Sequence, residues 1–338
     1  MPIKLFLMTK NEIELLEDWL KYHGHLFGLE NIHVLDGSDD QRVFDVYDKY
    51  KPLGLNVHFS STGLNGLAEE LTLLMHAHKG SNSFLIKLDT DEFLAYTLPV
   101  DIGPEGSLSR VLHDRYHAAH RAEGGLSKWL SESVFDLKHG NKKLYNTDFK
   151  DFFEALPITG QRYKASLTTW SVPQCQYVAH PSRELVEFTR LQFTHLKSYF
   201  HSESFLYADL GSHSGVSTNN SGVIDTGLTL IHYHSTSVED SVRRAQQVLV
   251  SHEYIDVSDP IETQRRKLSK LREQGCVNSY HKIDLYLQHL NALEGGEPIH
   301  PRILNSQHPY FRQPGPSVQM TLVRDTLSVI DQEKHPDM

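Results

Sequence analysis

The sequence predicts an α/β protein with a mostly parallel central sheet, flanked by helices, and a helical C-terminal appendage. The first observation is a strand, a helix and a second strand over residues 3–35, the unit from which parallel sheets are built. The second is the stretch FLIKLDTDEFL at residues 84–94, where an apolar strand runs up to two acidic residues and apolar residues then resume. Ligands of such sheets bind at the carboxyl ends of the strands, where we expect these acids to lie.

The individual elements follow from apolar periodicity and from helix and turn signals. Strands are predicted at residues 3–8, 31–35, 56–60 and 84–88, and helices at 44–50, 64–78, 237–253, 260–274 and 280–293. Thr9 and Glu12 have the spacing of a capping box. The first helix is therefore expected to begin at Thr9, and Gly28 is expected to end it.

Composition limits the classes of function. The chain has 338 residues, 39% of them apolar and 22% charged, which is typical of a globular protein with a sizeable core. Its formal net charge is −10 and it has no long basic run, so nucleic acid and anionic membrane are not expected as partners. Two cysteines are too few for a disulfide framework. Because no apolar run is long enough for a transmembrane segment, we expect a cytoplasmic enzyme, or one bound peripherally to a membrane.

Asp89 and Asp91 are the candidate metal ligands that follow from the residues themselves. Alternation along a strand puts their side chains on the same side, roughly 7 Å apart, and paired carboxylates suit Mg²⁺ or Mn²⁺ shared with substrate phosphates. A solvated acidic turn is the alternative for so short a pattern. Glu92, a third carboxylate followed at once by apolar residues, favours a functional site over an exposed turn.

The chain resembles a known enzyme family through several motifs taken together. These are Lys10-Asn11-Glu12, Leu16-Glu17-Asp18-Trp19-Leu20, Tyr22-His23, Gly28, Ile32–Asp36, Ser38-Asp39 and residues 88–94. In this order they resemble glycosyltransferases of the family 2 type, and in particular the branch that includes glycosyltransferase family 92 and bacterial relatives. The resemblance implies the GT-A fold. It also implies a metal-dependent hexosyltransferase that moves a sugar from a nucleotide sugar, with a UDP-linked donor expected, to a carbohydrate or glycoconjugate acceptor.

The resemblance also implies roles for individual residues. Donor-binding residues would be Thr9, Asn11, Glu12, Asp36, Lys87, Asp89, Lys197 and His213. Thr9, Asn11, Glu12 and Asp36 would line the nucleotide side of the pocket, although Asp36-Gly37 is also a common turn dipeptide. Lys197 and His213 match a lysine that is followed in the family by Gly-x-His. Asp89 and Asp91 would hold Mn²⁺ or Mg²⁺ against the donor diphosphate, with His232 as third ligand and His234 as its alternative.

The domain prediction follows the same division. Residues 1–237 are expected to form the GT-A domain, with a helical insertion at about 99–168 as the candidate acceptor side, and residues 238–338 a helical region with an irregular tail. Were the enzyme inverting, a carboxylate would deprotonate the acceptor hydroxyl. Glu184, Glu187 and Asp209 are the candidates for this base, and nothing in the sequence chooses among them.

Three other functions compete with glycosyl transfer. A non-catalytic relative could keep the fold as a carbohydrate-binding or nucleotide-binding protein. An Asp-x-Asp phosphohydrolase would use the first aspartate as nucleophile, but such enzymes usually follow the pair with a small residue and threonine, whereas Glu92 and Phe93 follow here. A nucleotidyltransferase would be expected to have a glycine-rich phosphate loop near the first strand, and residues 9–12 contain no glycine.

Overall fold

The computed structural model of the protein describes residues 2–62, 64–97, 144–145, 149–168, 197–220, 223–232, 238–274, 280–297, 299 and 326–331. The chain divides into two compact units. The first contains Met1–Ser171, Arg190–His232 and Gln313–Met338, and the second contains Val172–Thr189 and Tyr233–Arg312. Within the described ranges, every helix is too short or too polar to cross a membrane. Most of the predicted insertion at 99–168 lies outside the described residues.

The first unit is organised around a central sheet. Its strands and those of a small hairpin are, in chain order, β1 (Ile3–Thr9), β2 (Ile32–Asp36), β3 (Asn56–Phe59), β4 (Phe84–Leu88), β5 (Glu92–Thr97), β6 (Leu144–Tyr145), β7 (Arg162–Thr168), β8 (Lys197–His201), β9 (Phe205–Tyr207), β10 (Val216–Ser217) and β11 (Val223–His232). The described part of the sheet has the order β3-β2-β1-β4-β8-β7-β11-β5-β6, and β9 and β10 form the separate hairpin.

Strand direction confirms the predicted fold class. β1 pairs in parallel with β2 and β4, and β2 pairs in parallel with β3. The antiparallel partners β8 and β5 run against the other described strands of this sheet, while β11 is parallel to β7. The sheet is therefore mostly parallel, and the carboxyl ends of β1, β2 and β4 meet at one edge.

Helices flank this sheet, as predicted, but the first begins later than expected. The described α-helices of the first unit are α1 (Leu16–Phe27), α2 (Gln41–Tyr50), α3 (Leu64–His76) and α4 (Phe149–Glu154), and residues 326–331 are also helical. The prediction that a capping box at Thr9 starts this helix is wrong. Thr9 is the last residue of β1, and its hydroxyl accepts a hydrogen bond from Thr90 Oγ1 (3.1 Å). Asn11, with φ of 54°, turns the chain away from helical geometry. Gly28 does end α1, as predicted.

The core of the first unit explains why β4 holds its position. One apolar cluster joins α3 to strands β1, β2, β4 and β8; its buried members are Phe6, Leu35, Leu71, Met75, Leu85, Phe200, Phe205 and Ala208. All five residues of β4 are buried, including Lys87. A strand that is buried on both faces is typical of a parallel sheet covered by helices. The turn that follows β4 therefore leaves from a fixed point.

The described part of the second unit is helical. Its described helices are α5 (Val238–Ser251), α6 (Ile261–Glu273) and α7 (Tyr280–Leu293). They share an apolar cluster whose buried members are Val242, Ala245, Leu249, Ile255, Leu268, Ile283, Leu285, Tyr286 and Leu290. Inside the cluster, Tyr286 OH donates to Gln264 Oε1 (3.1 Å) and accepts from Gln246 Nε2 (2.9 Å). The hydroxyl thus joins all three helices.

Candidate active site

The turn between β4 and β5 carries the two aspartates. The backbone N–H of Glu92 donates to the carbonyl of Asp89 (3.0 Å), and the N–H of Asp89 donates to Glu92 Oε2 (2.8 Å). Thr90 attaches the turn to the end of β1 through Thr9. Asp91 is 4% exposed and Glu92 is buried, whereas the side chain of Asp89 is 40% exposed. The turn is closed on itself and presents Asp89 to solvent.

Two buried lysines hold the carboxylate of Asp89. Lys197 Nζ lies 2.6 Å from Asp89 Oδ2 and 3.2 Å from Glu92 Oε2, and Lys87 Nζ donates to Asp89 Oδ1. Both lysines are 1% exposed. Lys87 belongs to β4 and Lys197 begins β8, so neighbouring strands supply the two ammonium groups. Each oxygen of Asp89 therefore receives a charge-assisted hydrogen bond.

These contacts keep Asp89 ionised. Burial raises the pKa of Asp89, but the ammonium groups of Lys197 and Lys87 outweigh it and hold the pKa below its ordinary value. Burial lowers the pKa of Lys197, yet the carboxylates of Asp89 and Glu92 raise it above the ordinary value of a lysine. Burial dominates for Lys87, whose pKa is lowered.

The donor set of the turn fits a hard divalent cation. Asp89 and Asp91 offer carboxylate oxygens, which Mg²⁺ and Mn²⁺ prefer, and each oxygen of Asp89 has a further lone pair beyond the one that faces a lysine. The three carboxylates at positions 89, 91 and 92, against the ammonium groups at 87 and 197, leave one formal negative charge. Among the described residues, however, no group of three or more His, Cys, Asp or Glu is arranged to hold a metal ion.

The predicted third ligand, His232, lies at the end of β11. Its backbone is in register with Glu92 of β5, so the end of β11 runs beside the acidic turn. Its side chain, and the whole of His234, lie outside the described parts of the chain. The assignment of His232 as a metal ligand therefore stays a prediction.

Helix α1 supports the turn through hydrogen bonds to the start of β5. Trp19 Nε1 donates to the carbonyl of Glu92 (2.9 Å), and Tyr22 OH donates to the carbonyl of Leu94 (2.7 Å). The N–H of Leu94 donates to His23 Nε2 (3.2 Å), so His23 carries its proton on Nδ1, which donates to the carbonyl of Trp19 (3.0 Å). Three side chains of one helix thus fix the start of β5.

The sequence does not predict this support. It presents Trp19, Tyr22 and His23 only as parts of the motifs Leu16–Leu20 and Tyr22-His23. All three are fully buried, and all three have a polar tip that requires a partner when buried. Several aromatic side chains with polar tips on one buried helix face are a sequence signal for such supporting residues. Their partners in β5, more than 70 residues away, could not be read from the helix itself.

Asp36, at the end of β2, organises the adjoining loop. Its Oδ1 accepts from Ser38 Oγ (2.6 Å) and Tyr47 OH (3.0 Å), and its Oδ2 accepts from the N–H of Ser38 (3.2 Å). Burial raises the pKa of Asp36, opposed by the hydrogen bonds from Ser38 and Tyr47, and burial also raises the pKa of Tyr47. Asp36 is 1% exposed, so its contacts in this structure are with the protein.

Asn11 joins the loop after β1 to the loop after β2. Its backbone N–H donates to Ser38 Oγ (2.7 Å), and its Oδ1 accepts from the N–H groups of Asp39 (3.0 Å) and Asp40 (3.1 Å). Its Nδ2 also donates to Asp39 Oδ1 (2.7 Å). Glu12 lies half-buried in the same loop. The structure thus brings the predicted nucleotide-side residues Thr9, Asn11 and Asp36 to one edge of the sheet.

Of the remaining predicted site residues, Asp209 and His213 lie in one described loop. Asp209 accepts backbone hydrogen bonds from His213 (3.3 Å) and Ser214 (2.8 Å) in its own loop. The carbonyl of His213 accepts from Ser198 Oγ (3.1 Å), so this loop is attached to β8 next to Lys197. The other two candidates for the base, Glu184 and Glu187, lie outside the described residues.

Comparison with known proteins gives matches to solved structures only. No family model matches the chain, and no curated protein matches it. S. aureus TarS 1-349 is similar with a TM-score of 0.35 at 10% identity, over 100% of this chain and 92% of that chain. The complex of that protein with UDP has a TM-score of 0.32 at 11% identity, over the same shares of the two chains. Glucosyl-3-phosphoglycerate synthase from Mycobacterium tuberculosis, in complex with phosphoglyceric acid, has a TM-score of 0.31 at 14% identity, over 74% of this chain and 78% of that chain. Scores this low carry no argument about the activity of this chain.

Proposed function

We propose that this chain is a metal-dependent glycosyltransferase of the GT-A type. It would move a hexose from a nucleotide sugar, with a UDP-linked donor expected, to a carbohydrate or glycoconjugate acceptor. The observation that carries the proposal is Asp89, an ionised and half-exposed carboxylate beside Asp91 at the carboxyl edge of a mostly parallel sheet. The motifs in the loops that follow β1 and β2 support it, because these loops lie at the same edge.

The chemistry of the site agrees with this activity. Asp89 and Asp91 would hold Mn²⁺ or Mg²⁺, which when bound supplies positive charge to the leaving diphosphate. Lys87 and Lys197 keep Asp89 ionised at neutral pH. The nucleotide would lie along the loops that Asn11 joins, beside Thr9 and Glu12. His213, in the loop attached to β8, would face the donor from the other side. Glu184, Glu187 and Asp209 stay the candidates for the base that activates the acceptor.

Calorimetry with nucleoside diphosphates tests the proposal. UDP, GDP and CDP are titrated into the protein with and without Mn²⁺, and the experiment is repeated on Asp91→Ala and Asp89→Asn. We expect one of them, UDP by our proposal, to bind only with metal and to lose binding in both variants. Asp48→Asn is the matched control, because this carboxylate is exposed on α2 and pairs only with Lys51 among the described residues.

The outcomes separate the competing functions. Failure of all three nucleotides to bind the folded protein in the presence of Mn²⁺ would overturn the transferase. If UDP binds in a metal-dependent way but the protein neither hydrolyses nor transfers sugar from any UDP-sugar, even slowly, it is a non-catalytic nucleotide-binding protein. Release of phosphate from simple phosphate esters, lost in Asp89→Asn, would instead identify a phosphohydrolase.

A further inference from the structure

We propose that Lys87 and Lys197 are positioning residues that hold the Asp89 carboxylate, by both of its oxygens, in the orientation in which it ligates a cation. The inference rests on the proposed function, because it concerns the same site. It differs from the donor-binding role that the family resemblance implies for both lysines. Their ammonium groups lie inside the protein, and both point at Asp89.

Burial is the first argument for a role through Asp89. Lys87 and Lys197 are each 1% exposed, while the carboxylate between them is 40% exposed. An ammonium group so buried has little surface to offer a diphosphate, and Asp89 lies between these groups and solvent. The lysines therefore act on a ligand through the carboxylate that they hold.

Several contacts fix the one side chain of Asp89. Lys197 bridges Asp89 and Glu92, and Glu92 in turn accepts the N–H of Asp89. Lys87 holds the other oxygen of the same carboxylate from β4. The plane of the carboxylate is thus set by two strands before any ligand arrives. Groups that orient a metal ligand in this way typically change metal affinity by about 10–100-fold when they are removed.

The sign of the effect distinguishes positioning from charge. Replacement of a lysine by methionine removes a positive charge, so the site becomes more negative. If the lysines acted by charge alone, Lys87→Met would bind a cation more tightly, because attraction to the remaining carboxylates increases. If Lys87 positions Asp89, this variant binds the cation less tightly in spite of the added negative charge. For Lys197, a variant that also neutralises Glu92 leaves the net charge of the site unchanged, so a weaker affinity there is not an effect of net charge.

The experiment measures Mn²⁺ binding directly, by electron paramagnetic resonance of free Mn²⁺, and Mn²⁺-dependent UDP binding by calorimetry. The variants are Lys87→Met, which leaves Asp89 paired with Lys197, and the double variant Lys197→Met/Glu92→Gln, which removes two buried charges of opposite sign together. Lys4→Met is the matched control, since Lys4 lies in β1 of the same sheet and donates to Asn31 Oδ1 (2.7 Å), away from the acidic turn. Thermal melting checks that each variant is folded.

We expect Lys87→Met and the double variant to weaken both measured affinities by about 10–100-fold, with Lys4→Met unchanged. Affinities within about twofold of the wild type, or tighter Mn²⁺ binding in either folded variant, would overturn the positioning role and leave the proposed function standing. If the double variant does not fold, Lys87→Met decides alone, because it leaves the buried pair of Lys197 and Glu92 intact. Absence of nucleotide binding by the wild-type protein would instead overturn the proposed function.

Discussion

The surroundings of His23 fix its protonation state. It is fully buried, its Nε2 accepts from Leu94, and burial lowers its pKa from 6.5 to about 3. A proton on Nε2 would remove the acceptor of a buried N–H, which costs about 1–3 kcal/mol. The neutral ring is therefore part of the support that α1 gives to the acidic turn.

This shift predicts a pH-dependent stability. Between pH 6.5 and 3 the unfolded chain binds a proton at His23 that the folded chain does not bind, so the free energy of unfolding decreases as the pH falls through this window. The full shift corresponds to a few kcal/mol, at about 1.4 kcal/mol per pH unit. In urea unfolding at pH 7, 5.5 and 4.5, we expect His23→Gln, which keeps an acceptor for Leu94, to lose less stability than the wild type.

His25→Gln is the control for this measurement, because His25 is exposed on the same helix. Some pH dependence should persist in His23→Gln. Burial also lowers the pKa of His33 to about 3, with smaller contributions from His78, Lys4 and His58. Equal losses of stability on acidification in the wild type and His23→Gln would contradict the role given to His23.

At the scale of elements, the loop after β1 combines a backbone requirement with side-chain contacts. Asn11 has φ of 54°, a left-handed conformation that glycine and asparagine tolerate best, and its side chain contacts Asp39 and Asp40. Asn11→Gly removes the contacts but also removes Cβ from the left-handed region, whereas Asn11→Ala removes the contacts and keeps a Cβ there without local hydrogen bonds, at about 1–2 kcal/mol. We therefore expect stability in the order Asn, Gly, Ala.

Nucleotide binding should follow a different order. Both variants lose the side chain that joins the two loops, so both should bind UDP with Mn²⁺ more weakly than the wild type and by similar factors. Chemical denaturation and calorimetry on the same samples test both orders. A glycine variant that binds UDP as tightly as the wild type would show that the side-chain contacts do not shape the pocket.

The elements also show which parts of the fold the sequence predicts. β1, β2, β4 and the acidic turn were predicted from local apolar patterns, because a buried strand and its terminal acids are adjacent in the chain. The placement of Lys197 beside Asp89 depends on β8 pairing with β4, across 108 residues, and no local pattern fixes such a pairing. The start of α1 was missed because the hydroxyl of Thr9 bonds to Thr90 and not to its own helix.

At the scale of the whole molecule, two features favour a cation as part of the proposed donor site. The chain has a formal net charge of −10, and the acidic turn keeps one formal negative charge after its lysines are counted. A nucleoside diphosphate is itself an anion, so its approach to Asp89 and Asp91 is unfavourable without a bridging positive charge. The nucleotide should therefore stabilise the fold only when the metal is present.

Thermal melting with ligands tests this coupling. A ligand that binds only the folded state at 100 times its Kd stabilises it by about 2.7 kcal/mol, which should raise the melting midpoint by several degrees. We expect this rise with UDP and Mn²⁺ together, its loss on addition of EDTA, and no rise in Asp91→Ala. Asp48→Asn should respond like the wild type. An equal rise with UDP in EDTA would place the nucleotide away from the carboxylates, because only a site beside Asp89 and Asp91 needs the cation to offset their charge.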